Sequence, residues 1–123
     1  MATGPFLVGS DSPGAKVWKW IDITNGGTPD TMNPLPVDAK DDLTVYVLGT
    51  LGGNSPSIAM HGSPLRGSVP DTTDFAPLSS GGTAIAITTV QKCLTVDQGV
   101  LQIKPVLTGG DGSTLLSVWI VAK

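Results

Sequence analysis

The C-terminal stretch Val100–Lys123 consists of two apolar runs of strand length on either side of a loop made of turn residues. Leu101, Ile103, Pro105 and Leu107 alternate with Gln102, Lys104 and Val106, the period of a half-buried strand. In the loop Thr108–Ser113, Gly109, Gly110 and Gly112 permit positive φ and Asp111 tolerates it. In the second run Leu115, Ser117, Trp119 and Val121 point one way, and Leu116, Val118 and Ile120 the other. That strand is therefore apolar on both faces. The pattern predicts a β-hairpin whose second strand is central, with the other strands assembling on it. One face of that strand is expected against an opposite sheet. The other is expected under a sister subunit or under the apolar patch Phe6-Leu7-Val8.

Helices are disfavoured throughout. The 123 residues include 16 Gly and 10 Pro, and all ten acidic residues are Asp, a cap and turn former, with no Glu. No window of a dozen residues carries a helical apolar period without a Gly or Pro inside it. The expected fold is therefore all-β, a single antiparallel β-sandwich of jelly-roll or immunoglobulin-like kind with seven to eight strands. Residues 1–14 have the Gly, Pro and Ser content of an N-terminal arm. Residues 15–123 form the sandwich domain. No repeat or linker divides them.

The first strand is Lys16 to Ile23, with Val17, Lys19, Ile21 and Ile23 on one face and Trp18, Trp20 and Asp22 on the other. Asn25-Gly26-Gly27 ends it in a turn. Thr28 to Asp38, with Pro29, Pro34 and Pro36, is an extended connection or edge strand. Lys40-Asp41-Asp42 reads as a solvated turn. Leu43–Thr50 and Pro56–His61 are strands expected to pair as a hairpin across Gly52-Gly53-Asn54. The irregular stretch Gly62 to Ser80 is expected to anchor in the core through Phe75 and Leu78. Ala84–Val90 and Cys93–Val96 are further strands.

Net charge is −3, and the seven Lys and Arg are scattered, so no basic face for nucleic acid is visible. The N-terminus lacks the pattern of a signal peptide, and no run approaches the ~20 apolar residues of a membrane helix. Neither a nucleic-acid nor a membrane partner is expected. The single Cys93 cannot form an intramolecular disulfide.

Chemistry is sparse. His61 is the only histidine, and without a Gly-x-Ser-x-Gly elbow it reads as a strand-end residue rather than a hydrolase base. One His and one Cys do not make a zinc site. Asp111 within Gly110–Ser113, or Asp71 with Asp74, could offer oxygen ligands to calcium, but the full loop pattern is missing and Asp111 reads as a turn residue. The double glycines lack the Gly-Lys-Ser/Thr of a phosphate loop. Trp18, Trp20 and Trp119 read as core or interface residues, with a sugar-stacking platform of Trp18 and Trp20 as the alternative. No catalytic, cofactor-binding or metal-ligating residue is expected.

Four segments carry a resemblance: Val17–Thr28, ending Thr-Asn-Gly-Gly-Thr; Asp42–Gly53, ending Gly-Thr-Leu-Gly-Gly; Ile58–Pro64; and Leu101–Val118, containing Lys-Pro-Val-Leu-Thr-Gly-Gly-Asp-Gly-Ser-Thr. Together they resemble a family of small virion proteins of tailed bacteriophages, over about two thirds of the chain. Lys104 stands where Arg is usual, and Gly62–Pro77 lacks the usual Asn-Asp-Gly and carries extra prolines. The resemblance implies a β-sandwich that decorates or cements the outer surface of an icosahedral capsid. Its partners would be the major capsid protein and, as in similar cement proteins of short-tailed phages, two sister subunits in a homotrimer. Relatives of this sandwich type at tailspike tips imply a second role, binding a receptor or a host-surface glycan. No enzymatic activity comes with the resemblance.

Overall fold

The computed structural model describes residues 3–11, 15–25, 32–64 and 75–123. The Gly26-Gly27 turn, residues 28–31 of the proline-rich connection, and Asp71 and Asp74 lie outside them. Among the described residues there is no helix. The described residues form eleven strands in chain order: β1 (Thr3–Asp11), β2 (Ala15–Ile23), β3 (Leu35–Pro36), β4 (Leu43–Thr50), β5 (Ser57–Ser63), β6 (Ala76–Pro77), β7 (Ser79–Ser80), β8 (Thr83–Ala84), β9 (Lys92–Thr95), β10 (Gln102–Thr108) and β11 (Leu115–Ala122). The excess over the expected seven to eight comes from β3, β6, β7 and β8, which are two residues long.

The strands form a five-stranded sheet, β1-β2-β11-β4-β9, a four-stranded sheet, β3-β10-β5-β6, and a small β7-β8 ribbon. All pairings are antiparallel. Take β2, β3, β4, β5, β6, β9, β10 and β11 as first to eighth. The two sheets then run 1-8-3-6 and 2-7-4-5, the double Greek key of a jelly roll. The expected sandwich is present, and of the two kinds anticipated the topology is the jelly roll.

The core lies between the sheets. Trp20, Ile23, Val45, Val47, Leu116, Val118 and Ile120 from the larger sheet meet Leu35, Ile58, Met60, Ile103 and Leu107 from the smaller. The long strands β4, β5, β10 and β11 reach this core by alternation, as in β11, where Leu116, Val118, Ile120 and Ala122 are buried and their neighbours are not. β11 is the middle strand of its sheet, as expected.

Several local expectations are corrected. β10 and β11 are not a hairpin: β10 pairs with β3 and β5, and β11 with β2 and β4. Likewise β4 and β5 belong to different sheets. In both cases a run of turn residues carries the chain across the sandwich instead of folding it back in one sheet. Thr3–Asp11, expected within an arm, is a strand along β2, with register breaks on either side of the Phe6-Leu7 pair. In β2, Ile23 shares the inward side with Trp20 rather than with Val17 and Lys19. A β-bulge between their partners Leu116 and Val118, with Asp22 at φ 57°, adds one residue and flips the alternation. Phe75 does not enter the core, whereas Leu78 does. Ala84–Val90 keeps its alternation, with Ile85 and Ile87 buried, but beyond β8 it is joined through the Ile85 N–H to Leu78 O and the Ile58–Ile87 bridge rather than as a strand.

Candidate interaction surface

The residues that follow β2, the β4–β5 crossover and the β10–β11 crossover meet at one end of the sandwich. There the β4–β5 and β10–β11 crossovers lie against each other. The Asp111 carboxylate accepts from Gly53 N at 2.9 Å, from Ser113 N at 2.9 Å and from Ser113 Oγ at 2.6 Å. Buried Thr114 accepts from Asp111 N at 2.9 Å and donates to Leu51 O at 2.6 Å. Gly110 N donates to Asn54 O at 3.0 Å, and the Asn54 amide donates back to Gly110 O at 3.2 Å. Buried Asn25, just after β2, donates to Gly109 O at 2.6 Å.

The glycines are dictated by this contact. Gly52 has φ +73°, and a Cβ there would sit 2.6 Å from both Asp111 Oδ1 and Ser113 Oγ. Gly109 has φ +69°, and a Cβ there would meet Ser55 O at 2.6 Å. The hydrogen bonds from Ser113 and Gly53 hold the Asp111 carboxyl below the ordinary carboxylate range. The cluster therefore consumes its own polar groups in locking two crossovers together. As expected, Asp111 is a turn residue.

The other sequence candidates are dispersed. His61 lies on β5 beside Lys104 of β10 and Pro77 of β6. Partial burial, then the Lys104 ammonium, lowers its pKa below the ordinary 6.5. Lys104 Nζ sits 4.5 Å from the centre of the Phe75 ring, a cation–π contact on the outer side of the smaller sheet. No group of three or more His, Cys, Asp or Glu side chains is placed to hold a metal among the described residues. Trp18 and Trp20 do not form a platform. Trp20 is fully buried, with Nε1 donating to Asn33 O at 2.8 Å, while Trp18 is half-buried at the sandwich edge.

What remains open is the outer face of the five-stranded sheet. The ladder registers place Phe6, Lys19, Trp119, Tyr46 and Cys93 in one row across all five strands. Val17 and Val121 pair in the row beside it, and Leu48 lies two residues along from Tyr46. Val17, Tyr46, Leu48, Trp119 and Val121 line an open groove of about 250 Å³. Lys19 Nζ stands 5.2 Å from the Trp119 ring centre, and Trp119 Nε1 donates to Ser117 Oγ at 3.1 Å. The exposed large hydrophobics among the described residues are Phe6, Leu7, Val8, Tyr46 and Leu115, and every one belongs to this sheet. Soluble monomers rarely leave a contiguous apolar face of this kind exposed. The sequence puts Trp119 and Val121 on one face of their strand but not Val17, Tyr46 and Leu48 beside them, because that common face depends on strand order.

Comparison of the chain with protein-family models, with curated proteins and with solved structures returned no match.

Proposed function

We propose that this protein is a virion structural protein that binds the outer surface of an icosahedral capsid as a decoration or cement protein and works as a homotrimer. The observation that carries the reading is the apolar outer face of the five-stranded sheet, centred on Trp119. The Phe6–Val8 patch does not cover it, since β1 lies alongside that face as an edge strand of the same sheet. A sister subunit or the shell supplies the missing cover. Resemblance of the crossover segments to phage virion proteins supports the same reading.

The physical requirements agree. A brace on a shell needs stiffness and complementary apolar area rather than reacting groups. Individually weak contacts gain strength because the lattice presents many sites at high effective concentration. The jelly roll itself does not decide function, since the architecture serves capsid and lectin domains alike. Size-exclusion chromatography with light scattering tests the assembly: a trimer at micromolar concentration is expected, and a monomer overturns the trimer. Antibody labelling of intact particles tests location: label over the whole shell is expected, and label confined to the tail overturns the capsid assignment.

A further inference from the structure

A second surface feature lies away from the Trp119 face. At the edge of the sandwich, between the start of β2 and the chain leaving β3, a cleft of about 420 Å³ is lined by Lys16, Trp18, Pro36, Val37, Asp38 and Asp41. Ala122, the cross-strand partner of Lys16, also lines it. Burial along β2 grades from exposed Lys16 through half-buried Trp18 to fully buried Trp20, so the cleft is the open mouth of the core. Its volume falls within the range of small-ligand sites.

From this cleft we infer a saccharide-binding subsite that takes a single neutral sugar ring. The acidic side is pre-set by a tight turn. Asp41 N donates to Asp38 O at 2.9 Å, Asp38 N to Asp41 Oδ2 at 3.2 Å, and Lys40 N to Asp38 Oδ1 at 3.0 Å. One oxygen of each carboxylate is thus engaged in holding the turn, leaving the other to accept from a ligand hydroxyl. Lys16 adds a donor, and Trp18 adds an indole surface for the C–H face of a ring.

The lining also selects against other ligands. Two carboxylates beside one ammonium repel a phosphate or carboxylate. Lys16 opposes a cation that Trp18 and the aspartates would otherwise attract. Two carboxylates alone do not enclose a metal. Hydroxyls that both donate and accept fit all three polar side chains. The subsite does not depend on the capsid role and survives if that role fails.

The test is an NMR titration of the intact protein with methyl glucoside, methyl galactoside, methyl mannoside and N-acetylglucosamine, with choline chloride as the cationic control. At least one sugar is expected to shift the Trp18 indole N–H and the amides of residues 38–41. Saturation is expected in the millimolar range, which a ligand of about a dozen non-hydrogen atoms reaches. Trp18→Ala is expected to weaken binding about tenfold or more. Trp18→Phe, which keeps an aromatic surface and protects the fold, is expected to weaken it less, and Asp41→Asn to weaken it with the turn retained. Absence of any sugar-dependent shift overturns the inference, as do shifts unchanged in both Trp18 variants. Shifts with choline alone overturn it in favour of a cation site.

Discussion

At the level of single residues, the crossover lock makes the sharpest predictions. Thr114 is buried and bonds both Asp111 N and Leu51 O, so Thr114→Val leaves a backbone donor and acceptor unpaired. The expected loss is about 1–3 kcal/mol, read as a fall in Tm of roughly 5–10 °C. Gly52→Ala adds a Cβ into Asp111 and Ser113 at positive φ, whereas Gly81→Ala, at φ +59°, meets no atom. Calorimetry should show the first losing clearly more stability than the second, and equal losses would remove the steric account of the lock. Acid is expected to loosen this lock and, separately, the Gly81-Gly82 turn. Asp111, through Ser113 and Gly53, and Asp97, through the Gly82 and Gly81 N–H groups, both have folded pKa values below the ordinary 3.8. Their stabilisation is present above that value and is lost as pH falls through the folded pKa. His61 is also depressed, from 6.5, so protonation below that pH favours the unfolded chain. A Tm profile should therefore be flat above about pH 6.5, decline gently below it and fall steeply below about pH 4. His61→Gln should flatten the gentle decline, and a wild-type profile rising as pH falls from 7 to 5 would contradict the assignment.

At the level of elements, the positions of β2, β4, β5, β10 and β11 were readable, while β1 and the strand partners were not. Alternation in Leu43–Thr50, Ser57–Ser63 and Gln102–Thr108 is a local property of the chain and puts the core residues of each on one face, whereas Leu115–Ala122, apolar on both faces, leaves its buried side open until the sheet is formed. Whether a Gly-rich loop returns the chain to the same sheet or carries it to the other depends on contacts from distant segments. Asp111 reaches Gly53 across 58 positions and Asn25 reaches Gly109 across 84, and these bonds, not the loop composition, make Thr108–Thr114 a crossover. The β2 bulge was hidden for the same reason: Ile23 and Trp20 both face the core because of their register against β11. Trp20 illustrates how composition and position diverge. As one of a pair spaced i, i+2 it could be a platform, yet it fills the core and satisfies its indole N–H on Asn33. Trp20→Ala should cost about 3–5 kcal/mol, a large share of the stability of a domain this size. Trp119→Ser, on the outer face, should change Tm far less in the isolated subunit while removing self-association. A monomer by light scattering, with a Tm lowered only by the stability that association contributed, is the expected outcome. Retained oligomers would place the interface elsewhere.

At the level of the whole molecule, the two sides of the sandwich differ in character. The smaller sheet shows Lys104, His61 and Phe75 on its outer side, with Lys104 capping the Phe75 ring. The larger sheet shows a row of aromatic and aliphatic side chains with the single ammonium of Lys19 over Trp119. This asymmetry was not legible in the sequence, because it arises only when β1, β2, β11 and β4 are set side by side. It gives the capsid-decoration reading a definite orientation: the five-stranded sheet is the face covered in the assembled particle. The most direct measurement is a cryo-electron microscopy reconstruction of the intact virion. The account predicts density for this jelly roll on the outside of the shell, in trimers, with the Trp119 face buried against a sister subunit or the capsid. Density found only at the tail, or a trimer with Trp119 facing open solvent, would contradict it.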